Sequence, residues 1–139
     1  MHQEQTTFEI QSRGIGLYEF TQDIVDWVTQ SGIENGLLNL LVQHTSASLT
    51  IQENADPDVQ YDLVDALERL SPMNPKLYRH TAEGPDDMPA HIKSALTDVS
   101  LAIPVKNGRP RLGTWQGVYL IEHRNAPHRR RIAGHIFGV

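Results

Sequence analysis

The segment Leu37–Gln43 is nearly all apolar, which is how a buried strand reads. Around it, apolar residues recur with two different periods. Strand alternation marks Thr6–Ser12, with Phe8 and Ile10 on one side, and Ser48–Gln52. It also marks Trp115–Glu122, with Val118 and Leu120 on one face and Tyr119 and Ile121 on the other. Ser100–Val105 and Arg131–Val139 read as further strands. Helical spacing marks three segments between these. Thr21 is placed to cap a helix through about Gln30, with Ile24, Val25 and Val28 as its apolar stripe and Gly32 as its C-terminal glycine. Asp56-Pro57 starts a second helix, Asp as N-cap and Pro in the first helical position, followed by Val59, Leu63, Ala66, Leu67 and Leu70. Pro72 and Pro75 end it. Asp87 is placed to cap a third, with Pro89 near its start and Ile92, Ala95 and Leu96 on its apolar face. Gly14 and Gly16, Asn35-Gly36 and Asn107-Gly108 read as turns, the last of hairpin type, and Asn74–Pro85 as a long loop. These elements predict an α+β fold, mostly antiparallel, with short helices inserted between strand runs.

At 139 residues the chain has the length of one domain, expected to span 1–139. It has no cysteine, which excludes thiolate catalysis, Cys-ligated zinc and iron–sulfur clusters, and it fits a reducing compartment. No apolar run is long enough for a bilayer, and Met1–Ser12 lacks the pattern of a signal peptide. A soluble cytoplasmic protein with no membrane partner is the expectation. The net charge of −5 is uneven: residues 1–105 carry 16 acids and 5 Lys or Arg, while residues 106–139 carry 1 acid and 7 Lys or Arg. An acidic chain is a poor binder of nucleic acid. Its basic last quarter suits a small anion, or else neutralises the acidic remainder or a neighbouring subunit.

Several residues offer chemistry, each beside a plainer role. His44 follows an apolar strand and leads into Thr45 and Ser46, as a ligand, a general base, or a strand-end histidine bonded to backbone. Glu53 lies nine residues later, next to the Asp56 helix start, where acids also serve the helix N-terminus. The stretch from Tyr78 to His91 is densely polar, and long loops of this kind often carry function. His80 and His91 with His44 form a possible three-nitrogen zinc site with an open position, although their spacing matches no compact metal motif. Of the pair Asp86-Asp87, one is expected to cap the helix, Asp87 by position, and the other to orient a histidine or bind an ion. Trp115 and Gln116, between Gly113 and Gly117, suit stacking and hydrogen bonding to a flat ligand, or else a packing contact. Arg129 and Arg131 share one strand face, opposite Arg130, and arginine forks suit phosphate oxygens when they are not simply solvated.

Taken together, Leu40-Leu-Val-Gln-His44-Thr-Ser-Ala-Ser-Leu-Thr-Ile-Gln-Glu53-Asn, the Asp56-Pro57 start, Tyr78-Arg-His80, Asp86-Asp-Met-Pro-Ala-His91-Ile-Lys and Leu112-Gly-Thr-Trp-Gln-Gly117 resemble the YjbQ-like family, also called the secondary thiamine-phosphate synthase family. The resemblance runs from about Leu37 to the C-terminus. It implies a compact α+β domain with a β-sandwich-like core and a homotrimer. It implies a thiamine-phosphate synthase activity, as a secondary one, joining hydroxymethylpyrimidine diphosphate to thiazole phosphate with release of pyrophosphate. It also implies a metal site, with His44, His80 and His91 on the positions of the family's recurrent histidines and zinc as the expected divalent metal. One departure is Thr97-Asp98, where the family usually has Leu-Gly. Asp tolerates a left-handed turn, so the fold is expected to persist.

On that basis Arg129 and Arg131, with the metal, would stabilise departing pyrophosphate. Glu53, Asp87 or Glu122 would orient a histidine or hold the aminopyrimidine, Trp115 would stack on it, and Thr45 and Gln116 would complete the substrate contacts. Two other classes use the same residues: a metal-dependent hydrolase of a small phosphate ester, and a non-catalytic trimeric protein that binds a small anion.

Overall fold

The computed structural model describes residues 1–139. Its elements in chain order are β1 (His2–Gln11), β2 (Gly16–Glu19), α1 (Thr21–Ser31), β3 (Asn35–Val42), β4 (Ala47–Glu53), α2 (Pro57–Leu70), α3 (Asp87–Leu96), β5 (Ser100–Lys106), β6 (Arg109–Pro110), β7 (Gln116–Glu122) and β8 (Arg129–Gly138), with a short 3-10 turn at Pro75–Leu77. The strands form a five-stranded sheet, β1-β8-β3-β5-β6, and a three-stranded sheet, β2-β7-β4. Every pairing is antiparallel. This is the α+β architecture that the two periods predict. No helix is long and apolar enough to cross a membrane.

The inner faces of the two sheets share one apolar core. Leu38, Leu40, Ile103, Ile132 and Ile136 come from the larger sheet, Leu49, Val118 and Leu120 from the smaller, and Ile24 and Val28 from α1. Strict alternation along β8 sends Ile132 and Ile136 inward, and Arg130 with them, while Arg129 and Arg131 face out. The apolar run of β3 behaves differently from a strand buried on both faces. Leu38, Leu40 and Val42 are buried, but Leu41 is 49% exposed, because no element of the chain lies over the outer face of the larger sheet.

Local chemistry explains most element ends. Asp56 accepts the Asp58 N–H at 3.0 Å and Pro57 occupies the first turn of α2, as the sequence indicates. Asn107 (φ 53°) and Gly108 (φ 72°) are both left-handed, as a two-residue hairpin between β5 and β6 requires. Asn35-Gly36, expected as a turn, instead lies within β3. Gly36 pairs with Gly138, and a Cβ on Gly36 would fall 2.2 Å from the Phe137 carbonyl oxygen. Glycine here permits close backbone approach.

Thr21 does not cap α1. Its hydroxyl donates to Glu19 Oε2 at 2.7 Å and accepts the Val118 N–H at 2.9 Å, tying the helix start to β7. Asp87 does not cap α3 either; it turns inward from the first turn. Thr97-Asp98 forms no left-handed turn. Thr97 is extended, and the Asp98 carbonyl accepts the Leu49 N–H at 2.6 Å, extending the edge of β4. Helix α2 has no fully buried residue; Leu63 and Leu67 are half-buried over the smaller sheet and Leu70 is exposed.

Candidate functional site

The link between β3 and β4 carries His44 and Thr45, and α3 stands beside it. Asp87 and His91 are one helical turn apart and so share a face of α3. The preceding loop brings in His80 and Glu83. His80 Nε2 lies 2.6 Å from Asp87 Oδ2, and His91 Nε2 lies 3.1 Å from the same oxygen. Glu83 Oε2 is 3.4 Å from His80 Nε2. One ligand-type atom from each of these four residues lies within 4.8 Å of the others. Ligands of a single zinc ion, each about 2.0–2.2 Å from it, stand up to roughly 4.4 Å apart.

Arg124 organises this group from behind. Its Nη1 donates to Asp87 Oδ1 at 2.6 Å, its Nε to Asp86 Oδ2 at 3.0 Å, and its Nη2 to the Glu83 carbonyl at 3.0 Å. Asp86 also accepts the Asn125 N–H at 2.9 Å. Thus both aspartates meet one guanidinium, and Asp87 Oδ2 is left facing the histidines. Burial pushes the Asp87 carboxyl up, but the hydrogen bond from His80 and the charges of His91 and Arg124 outweigh it and hold the carboxyl below its usual range. The same hydrogen bond raises His80. His91 Nδ1 lies 3.1 Å from the Thr45 carbonyl, which can only accept. With Nδ1–H donated there, Nε2 is the nitrogen that faces Asp87: it donates its own N–H to the carboxylate when the ring is charged, and would offer a lone pair to a cation when the ring is neutral. A backbone carbonyl behind one imidazole nitrogen is the usual way of orienting a metal-binding histidine.

A second polar system lies deeper. Glu122 is fully buried and accepts from Arg130 Nε at 2.8 Å, Ser12 Oγ at 2.5 Å and the Arg124 N–H at 3.2 Å. Arg130 also donates to the Ser46 carbonyl at 3.2 Å and to Ser46 Oγ at 3.0 Å. Burial works to raise the Glu122 carboxyl, and the bonds from Arg130 and Ser12 bring it below the ordinary value. His123, 1% exposed, has Nε2 2.8 Å from Ser48 Oγ, which in turn lies 2.7 Å from Thr97 Oγ1. Burial, then the Lys93 charge, carries the His123 pKa down to about 3.

That burial has a pH consequence. Between the unfolded pKa of about 6.5 and the folded value of about 3, the unfolded chain binds a proton that folded His123 refuses, so stability falls as pH falls. The loss is expected to reach about 2–3 kcal/mol between pH 7.5 and 4.5. His44, lowered by burial and by Arg130, acts in the same direction. His80, being raised, acts oppositely. The contribution of Glu122 is lost only lower, as pH drops from about 4.5 through its depressed folded value. Urea denaturation across this range should show a shallower slope in His123→Asn; an unchanged slope would contradict a neutral buried imidazole.

The residues singled out from sequence divide into two groups. His44, Thr45, His80, Asp87, His91, Glu122, Arg129 and Arg131 belong to one end of the molecule. Glu53, Trp115 and Gln116 belong to the other: β4 and β7 pair from Ala47 opposite Glu122 to Glu53 opposite Gln116. Six residue steps separate the two ends by about 20 Å. Glu53 accepts the Asp56 N–H at 3.3 Å, beside the start of α2. Gln116 Oε1 accepts the Gly113 N–H at 2.7 Å and shapes its own loop, while Trp115 is 63% exposed.

His44 lies outside the four-residue group; its Nε2 accepts the Arg131 N–H at 2.8 Å, the backbone-bonded alternative weighed for it. Glu122 is enclosed by Arg130, Ser12 and Arg124, with no face open to a ligand. Arg124, Glu83 and Arg130 are not among the residues that the sequence marks as site candidates. For Arg130 a signal existed, since Ile132 and Ile136 share its alternation. For Arg124 none did, because its partners lie 37 and 38 residues away.

The fold and site together define a class: a two-sheet α+β protein whose one end carries two histidines converging on a buried, arginine-held aspartate. The family model described as UPF0047 protein YjbQ-like matches residues 6–139, and the chain belongs to this family. It is 52% identical to a UPF0047 protein of Synechocystis sp., over 98% of this chain and 92% of that one. It is 45% identical to the UPF0047 protein YjbQ of Escherichia coli O157:H7, over 96% and 97% of the two chains. A crystal structure of a hypothetical protein from Aeropyrum pernix superposes with a TM-score of 0.88 at 29% identity, over 98% and 99%.

Proposed function

We propose that the protein is an enzyme acting on a small phosphorylated substrate, with a divalent cation held by His80, Asp87 and His91, and Glu83 beside them. The supporting observation is the convergence of both Nε2 atoms on Asp87 Oδ2, with His91 oriented by the Thr45 carbonyl. Two imidazoles and a carboxylate suit zinc. A cation bound there would offset charge on a phosphoryl group and its leaving oxygen. The chain's own residues do the rest. Arg124 holds Asp87 in place. His44 and His91 flank a cleft of about 380 Å³ floored by Val42, Ala95 and Val99. Arg131, whose N–H binds His44, and Arg129 on the same outward face offer forks for phosphate oxygens.

In its finer form the proposal is the thiamine-phosphate synthase reaction implied by the resemblance. Its diphosphate leaving group needs cationic help, and its attacking ring nitrogen needs no base. Glu53, Trp115 and Gln116 have no part in the site of the same chain. The test is metal content of untagged protein by mass spectrometry. About one zinc per chain is expected in wild type and in His44→Ala, and none in His91→Ala. Metal retained by His91→Ala would reject this ligand set. Turnover of the two thiamine precursors favours the synthase, metal-dependent cleavage of simple phosphate esters favours a hydrolase, and binding without turnover favours an anion-binding protein.

We also propose that the chain self-associates as the homotrimer implied by the resemblance, through the outer face of the larger sheet. There Leu41 stands opposite Ala133 and Leu37 opposite Phe137. Light scattering should report three chains for wild type and a smaller species for Leu41→Asp; a monomeric wild type would reject this.

A further inference from the structure

A second concavity lies away from the histidine cluster, beneath α2. It encloses about 260 Å³ between the helix and the outer face of the smaller sheet. Its apolar walls are Leu63 and Leu67, four residues apart on one face of α2, with Leu17 from β2 and Ile121 from β7. Its far wall is polar: Gln52 at the end of β4 and Asp98 just after α3. The Asp98 backbone carbonyl is engaged by Leu49, but its carboxylate meets no cation and no hydrogen-bond donor of the chain, and the Gln52 amide is equally unengaged. Helix α2 carries Asp58, Asp62 and Asp65 on its exposed side against Arg69, while its Glu68 is paired with the buried Lys93 of α3, so the outward charge of the helix is negative.

We propose that this cleft is a binding site for a small organic ammonium compound. Its apolar body, one ring or a short alkyl chain, would lie between Leu63, Leu67 and Ile121, and its ammonium group would meet Asp98 and the Gln52 carbonyl. The size follows from the volume, which is below the roughly 300–1,000 Å³ of drug-sized sites and so limits the ligand to one ring or a short chain. The sign follows from the unpaired Asp98 carboxylate on the polar wall, with the net negative outward charge of α2 beside it.

The test is a nuclear magnetic resonance titration of the full chain with benzylammonium, and with benzyl alcohol as its neutral counterpart. Benzylammonium is expected to shift the amides of Leu17, Gln52 and Ile121 saturably. Its affinity should fall about fivefold or more in Asp98→Asn, while the weaker binding of the alcohol stays the same. Asp98 is exposed, so this variant should fold; the unchanged spectrum elsewhere and the thermal midpoint check that it does. A second variant, Leu67→Gln, should weaken both probes. Shifts that do not saturate, that map elsewhere, or that are indifferent to Asp98→Asn would overturn the proposal. None of these readouts depends on the histidine cluster.

Discussion

An Asp87→Asn variant is expected to lose divalent-cation affinity by more than about a hundredfold while remaining folded. Asp87 is 3% exposed at its side chain and is the only group that both His80 and His91 touch. An amide keeps the shape but removes the charge, and it can present an N–H where the histidines need an oxygen. Asp86 still holds Arg124, which limits the structural damage. Arg124→Met should act more mildly, by about ten- to a hundredfold, because it frees Asp87 to rotate without removing it. Calorimetric titration of chelator-stripped, untagged protein with zinc separates the two, and circular dichroism monitors folding. Wild-type affinity in a folded Asp87→Asn protein would move cation binding away from this cluster.

The largest effect on stability is expected from Arg130→Met. The variant strands the Glu122 carboxylate in a fully buried position with Ser12 and one backbone N–H as its remaining partners. Breaking a buried pair in this way costs about 3–5 kcal/mol. For a domain of this size that is roughly 10–20 °C in the thermal midpoint. Replacing both partners, as in Glu122→Leu with Arg130→Met, should recover much of the loss, since no buried charge is left over. The pair also ties the end of β1 through Ser12, the β3–β4 link through Ser46 and the end of β7 through the Arg124 N–H. Amide exchange near His44 and Arg124 should therefore rise in the single variant even at temperatures where it remains folded. A loss below about 1 kcal/mol would mean that water reaches Glu122.

The two predictions differ in how far they could be foreseen. The place of Asp87 in a dense polar segment marks it out, with capping the helix and orienting a histidine as the two roles open to it; the structure shows no cap, and its carboxylate meets His80 and His91. A helix start attracts acids for dipole reasons, and nothing in the local order Asp86-Asp87 says which carboxylate turns inward. Alternation places Arg130 opposite Arg129 and Arg131 without saying which face is buried. The alternation that puts Ile132 and Ile136 in the core puts Arg130 there too, and Glu122 makes that burial tolerable.

What the sequence determined by itself are the features that depend on neighbours in the chain. The strand and helix periods, the Asp56-Pro57 start and the Asn107-Gly108 hairpin follow from side-chain direction and backbone dihedral preference over a few residues. The polar richness of 78–91 is likewise plain in the sequence. What only the tertiary structure decided are the contacts between distant segments. It joins Arg124 to Asp86 and Asp87, sets His44 against the Arg131 backbone, and leaves Trp115 and Glu53 at the opposite end of β7 from the histidines. Those outcomes depend on strand register. Register is set by the packing of two whole sheets, and a six-residue offset along one strand moves a side chain about 20 Å.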